Sequence, residues 1–167
     1  DLSTTVFGKK IDMPIFLSPT AMQRLYHHEG DKASARAAEK FGTFYSMSTM
    51  ANNTIEEVAD ISNGPKLFQL YVHKDQSITD DLIDRCRVSG FNGMCLTVDT
   101  LVAGNRERDH RTGFTTPPKL TLQSLISFAM RPEWVFNYFT HKKFELSNVK
   151  NKTDKGTNIS KSVIEYI

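Results

Sequence analysis

The chain has little of several residue types. Its 167 residues include two cysteines, one tryptophan and six prolines. Cys86 and Cys95 lack metal-ligand spacing, so they read as small buried hydrophobes in a reducing compartment. No metal site is expected. No apolar run approaches the roughly 20 residues that cross a bilayer, and no signal peptide is visible. The net charge of +2 gives no reason to expect nucleic acid. A cytoplasmic chain fits these absences. Nor does a glycine-rich turn follow the first apolar run, as a doubly wound nucleotide fold requires.

What the sequence does contain is an alternation of strands and helices. The run Met13–Leu17 leads into Ser18, Pro19 and Thr20, and Thr43–Ser48, "KLFQLY" and "GMCLTVDT" form three further strands. Between them lie helical stretches. "GDKASARAAEKFG" has Asp31 to cap it and Gly42 to stop it, "NTIEEVADIS" opens on Asn53 or Thr54, and "SITDDLIDRCRVSG" spaces Ile78, Leu82, Ile83 and Cys86 helically. Strand starts recur about every 25 to 30 residues, the period of βα units in a parallel sheet.

The strand ends separate two architectures. A doubly wound sheet has nearly unbroken apolar strands. Here each strand ends in an i, i+2 polar pair: Ser18 and Thr20, Ser46 and Ser48, Gln69 and Tyr71, Thr97 and Asp99. Such pairs point to one side of their strand. Polar groups from several strands converging at the C-terminal end are how a (β/α)8 barrel builds its site. A barrel takes about 250 residues, and only four units are legible before the pattern stops after Thr100. The expected fold is therefore α/β, the N-terminal half of a (β/α)8 TIM barrel over residues 1–111. A helical loop insertion with a polar tail occupies 112–167.

The stretches "PIFLSPTAMQRLYHHEGDKASARAAEKFGT", "STMANNTIEEVA", "FQLYVHKD" and "LTVDTLVAGNRERD" resemble the FMN-dependent 2-hydroxy-acid dehydrogenase and oxidase family. The resemblance runs from about Asp1 to Arg111. The loop "RTGFTTPPKLTLQSLISFAMRPEWVFNYFTHKKFELSN" is most similar to that of respiratory L-lactate dehydrogenases. The family implies FMN as cofactor and oxidation of an L-2-hydroxy acid, here L-lactate to pyruvate. A quinone or cytochrome would be the electron acceptor, and the full-length family forms tetramers.

By the same resemblance, Pro19, Thr20 and Ala21 lie against the flavin near N5. Ser48 binds the ring, and Gln69 and Thr97 meet its pyrimidine edge. Tyr71 reaches the substrate's oxygens, and Arg106 its carboxylate, for which a planar fork of donors is suited. Met50 stands where glycolate oxidases have a tryptophan, so chain-length preference does not carry over. The family's catalytic histidine, its arginine and its lysine have no counterparts here, so no catalytic residue is expected in this chain. Nor is a cradle for the flavin phosphate, which belongs to the last two barrel strands. Made alone, the chain is expected to be an inert fragment that holds FMN weakly or not at all.

Two features have bland readings as well. His27 and His28 read as structural, His73 and His110 as solvent-facing, and His141 as part of the basic tail. The segments from Leu120 to Phe139, broken at Pro132, form two short amphipathic helices. These pack on the barrel or a neighbouring subunit, or else lie in a membrane interface on its inner face, where Trp134, phenylalanines and lysines would favour them.

Overall fold

The computed structural model describes residues 1–99, 105, 107–113, 121–142 and 145–149. It opens with an unanticipated antiparallel hairpin, β1 (Thr4–Val6) and β2 (Lys9–Ile11). Its two-residue turn has Phe7 at φ 48° and Gly8 at φ 71°. Positive φ at both positions matches the right-handed twist of the strands. The hairpin brings Val6 and Ile11 onto Phe44 and Leu67, a small cluster separate from the main core.

Three parallel strands follow in sequential order: β3 (Tyr45–Ser48), β4 (Lys66–Leu70) and β5 (Gly93–Leu96). The expected first strand is reduced to a single parallel bridge, Leu17 to Tyr45. Leu17 still makes both backbone bonds, its N–H to Phe44 O at 3.0 Å and its carbonyl accepting from Ser46 N at 3.0 Å. Pro14 lacks a donor, and residues 14–16 remain exposed, so pairing does not extend backwards. The neighbour order is thus Leu17, β3, β4, β5. A sheet with a topological switch point would break that sequence.

Three helices connect the strands: α1 (Asp31–Lys40), α2 (Ile55–Ile61) and α3 (Gln76–Val88). Gly42 stops α1 as expected, at φ +62°. Its N–H meets Glu39 O and Thr43 N meets Ala38 O, the paired bonds of a Schellman end. A Cβ there would fall within 2.0 Å of Asp12 Oδ2, so no other residue fits without displacement. Thr54 caps α2 in a reciprocal box with Glu57. Asp75 caps α3 through Ser77 N. Asp31, however, is not the cap of α1. Gly30 holds that position, and Asp31 is fully buried.

Strand alternation decides what the core contains. Tyr45, Met47, Phe68 and Leu70 face the helices, where they pack with Ala35, Val58, Ile78, Leu82 and Cys86. Burial pushes the Cys86 thiol up to about 12. Two expectations fail at the margin of this core: Ile83 is exposed, and so is Cys95, on β5. Leu146 and Val149 return to the same core, and Asn148 accepts from Ile55 N at 3.0 Å.

Helix α4 (Glu107–Thr112) carries the exposed His110. Beyond it stand α5 (Leu122–Ala129) and α6 (Pro132–Thr140), broken at Pro132 as the sequence predicts. Pro132 is the first residue of α6, where its missing N–H costs nothing. No helix among the described residues is long and apolar enough to cross a membrane.

Candidate functional site

Ser48 and Gln69 are register partners on β3 and β4. Their side chains lie on the face opposite the helices, because Met47 and Phe68 occupy the helix side. Ser48 Oγ donates to Gln69 Oε1 at 3.2 Å, and Gln69 Nε2 donates to Thr97 Oγ1 at 2.6 Å. Three neighbouring strands are therefore joined by one side-chain row at their C-terminal ends. Ser48 and Gln69 are buried, and Thr97 is half-buried.

The donors and acceptors of the row can be counted. Gln69 Oε1 also accepts from Thr49 N at 3.4 Å, so both its lone pairs are in use. Ser48 Oγ accepts from Met50 N at 3.2 Å. What remains uncommitted among the described residues is one Gln69 Nε2 hydrogen and the Thr97 hydroxyl hydrogen. Two donors side by side can meet the carbonyl oxygens of a planar ring edge, with the remaining lone pair of the Thr97 hydroxyl left for a ring N–H. The row thus fits the pyrimidine edge of a flavin.

Sequence reasoning missed Thr49. Its Oγ1 donates to Gln69 O at 2.5 Å and accepts from Tyr71 N at 3.1 Å, so one buried hydroxyl clamps the end of β4. A third hydroxyl in "SMSTM" was the available signal. Tyr71 is half-buried and packs partly on the main core. Its hydroxyl makes no hydrogen bond among the described residues.

Pro19 and Thr20 are exposed and Ala21 half-buried, in the turn after the Leu17 bridge. Met22, at φ 57°, donates its N–H to Met50 O at 3.1 Å, which ties this turn to the end of β3. Left-handed backbone is costly for a side chain like methionine and persists only where its surroundings enforce it. A concavity of about 380 Å³ opens beside Ser18 and Thr20 and is not lined by Ser48, Gln69 or Thr97. Arg106 lies outside the described residues.

A buried polar network supports the turn after β3. Asp31 accepts from Tyr45 Oη at 2.8 Å, Asn52 N at 3.2 Å and Asn53 N at 3.4 Å. Burial raises the Asp31 carboxyl above its ordinary value, and these bonds oppose that rise. Burial and the adjacent Asp31 charge raise the Tyr45 phenol too, so it stays a donor. Gln23 links the network to the 19–21 turn, donating to Tyr45 Oη at 3.3 Å and Thr20 O at 3.5 Å.

The histidines differ from expectation in one case. His73 is buried, not solvent-facing: its N–H bonds Thr79 Oγ1 at 3.0 Å, and its Nδ1 accepts from Asp75 N at 3.0 Å. The turn that caps α3 folds over it.

Comparison with known proteins identifies the family and the fold. The profile of the FMN-dependent dehydrogenase family matches residues 1–165. Glycolate oxidase 1 of Zea mays is 46% identical over 124 residues, covering 74% of this chain and 34% of that protein. An L-lactate oxidase of Nostoc sp. is 39% identical over 153 residues, covering 85% of this chain and 42% of the oxidase. Among solved structures, a monotopic membrane protein, (S)-mandelate dehydrogenase, superposes with a TM-score of 0.84 at 29% identity. The match covers 98% of this chain and 43% of the dehydrogenase. The chain thus spans about a third of the length of a glycolate oxidase. Its sequential parallel strands are part of an α/β barrel, and the chain belongs to the FMN-dependent dehydrogenase family.

Proposed function

We propose that a full-length protein carrying this sequence oxidises an L-2-hydroxy acid to the 2-oxo acid with FMN. The observation that carries this reading is the Ser48–Gln69–Thr97 row, with its two free donors at the strand ends. When bound, FMN takes up the two electrons that the substrate carbon gives up. Ser48, Gln69 and Thr97 orient the ring through one edge, and the turn Pro19–Thr20–Ala21 bounds it near N5. Tyr71 meets the substrate's oxygens with its uncommitted hydroxyl, and Arg106 pairs with the carboxylate. The proton-accepting base comes from barrel units beyond these residues.

Lactate is the substrate we assign. The L-lactate oxidase match covers more of this chain than the glycolate oxidase match, 85% against 74%. Met50 in place of a tryptophan removes a rigid ring from the pocket wall and leaves a flexible thioether.

The α5–α6 hairpin supports a peripheral membrane role beside a respiratory acceptor. Leu122, Leu125, Met130, Phe136 and Phe139 are exposed on it, and Arg131 and Lys142 lie at its ends. Apolar faces flanked by basic residues favour an interfacial position. The relative that superposes over nearly the whole chain is itself described as monotopic.

The test is Tyr71→Phe in the full-length protein, assayed by L-lactate-dependent dye reduction. The expected result is a large fall in kcat with FMN content retained. Equal loss of flavin and rate would make Tyr71 a cofactor or folding residue and remove the substrate role.

A further inference from the structure

The loop before α1 and the α5–α6 hairpin line an open cleft of about 510 Å³ with basic residues on both walls. Arg24, His27 and His28 line it from the loop, and Arg131, His141 and Lys142 from the hairpin. Glu133 is the one carboxylate among its lining residues. Glu29 pairs with Arg36, and Glu57 pairs with Lys32 and with Lys142, so of the wall's cations Lys142 already has a carboxylate partner.

The imidazoles stack within this wall. Ring centroids of His27 and His28 are 4.3 Å apart, and those of His28 and His141 4.2 Å. Bases this close resist carrying charge together. Desolvation, then His141 and His27, hold His28 below its ordinary value, with Arg24 adding to them and Glu29 opposing. His28 Nδ1 is buried with no hydrogen-bond partner among the described residues, an uncommon state for a buried polar atom.

The two walls are fastened together. Arg24 donates to His28 O at 3.1 Å and to Lys142 O at 2.5 Å, and Trp134 Nε1 donates to Leu25 O at 2.8 Å. The cavity is therefore built into the docking of the hairpin. Arg131 is exposed and forms no ion pair among the described residues.

We infer that this cavity binds a phosphate group. The anion would accept from the Arg131 guanidinium, whose fork of donors suits phosphate, and from imidazole N–H groups. It would also supply the countercharge that the stacked rings lack. The cavity shares no lining residue with the Ser48–Gln69–Thr97 row, and the inference does not depend on the flavin reading. A lipid headgroup beside the apolar hairpin and a soluble phosphate ester carry the same chemistry.

The test is calorimetric titration of inorganic phosphate into the FMN-loaded full-length protein, so that the flavin's own phosphate site is filled. Saturable binding is expected. Arg131→Gln should weaken it by about tenfold or more, the loss expected for a charge-assisted bond. His141→Asn should weaken it as well, while Arg131→Gln leaves the melting temperature unchanged. Absence of saturable binding, or equal binding by Arg131→Gln, would overturn the inference. Vesicles identify the source of the phosphate. Binding to phosphatidylglycerol but not phosphatidylcholine, displaced by inorganic phosphate, means a lipid headgroup. Saturable phosphate binding without that lipid preference means a soluble ester.

Discussion

Gln69 Nε2 donates to Thr97 Oγ1 at 2.6 Å, joining β4 to the residue just past the end of β5. The backbone ladder closes at the same point, where Thr97 N bonds Leu70 O at 3.0 Å. Side-chain and main-chain bonds together fix the amide of Gln69 in one orientation. A buried amide so held is preorganised for a ligand and has little rotamer freedom left to lose on binding.

That orientation also depends on Thr49, which bonds both Gln69 O and Tyr71 N. Thr49→Val keeps the shape and deletes the hydroxyl, leaving the Tyr71 amide short of a partner while the Gln69 carbonyl keeps its bond from Thr49 N at 3.0 Å. The expected cost is about 1–3 kcal/mol, measured by urea unfolding of the full-length protein. A wild-type midpoint would show that the clamp contributes nothing.

Acid should weaken the fold through the α2–α3 contact. Arg85 holds Glu56 with bonds of 2.6 and 2.8 Å, and this pairing lowers the Glu56 carboxyl from 4.5 to about 2. Burial works against the Glu57 carboxyl, but the Thr54 amide, Lys142 and Asn53 outweigh it and leave it at about 2. Both folded values lie below the unfolded ones. Their contribution is complete above about 4.5 and is lost as pH falls towards about 2. Asp31, whose carboxyl is raised, acts in the opposite sense. Arg85→Met should flatten the acid limb of a stability-against-pH series; an unchanged limb would assign it to other carboxylates.

The exposed hairpin makes a separate prediction. Phe136 and Phe139 are 65% and 78% exposed, the degree of exposure expected of a face that another surface covers. Phe136→Ser with Phe139→Ser should abolish co-sedimentation with anionic vesicles while leaving soluble-dye turnover intact. If vesicle binding persists and oligomeric state changes, the face belongs to a neighbouring subunit.

Much of this was legible because strands and helices left separate marks. A cap at Asn53 or Thr54, the stop at Gly42 and polar groups at the strand ends are local signals; Thr54 takes the cap, Gly42 ends α1, and Ser48, Gln69 and Thr97 meet at the strand ends. Non-local competition was harder to read. Asp31 looks like a helix cap in sequence, yet its carboxylate is drawn to Tyr45 and the amides of Asn52 and Asn53. His73 looks exposed beside Lys74 and Asp75 until the α3 cap folds over it. The β1–β2 hairpin escaped notice because Phe7, rather than asparagine or glycine, takes the first left-handed turn position. At the site, strand periodicity put polar pairs at the strand ends and the family resemblance singled out Ser48, Gln69 and Thr97, but neither pointed to the clamp by Thr49.

The central claim is that the strand-end row holds the edge of FMN. It is tested most directly by the FMN dissociation constant of the full-length protein, read by flavin fluorescence, with and without Gln69→Ala. Loss of the amide should weaken binding by about tenfold or more, with the circular dichroism spectrum unchanged. An identical dissociation constant in the folded variant would contradict the claim.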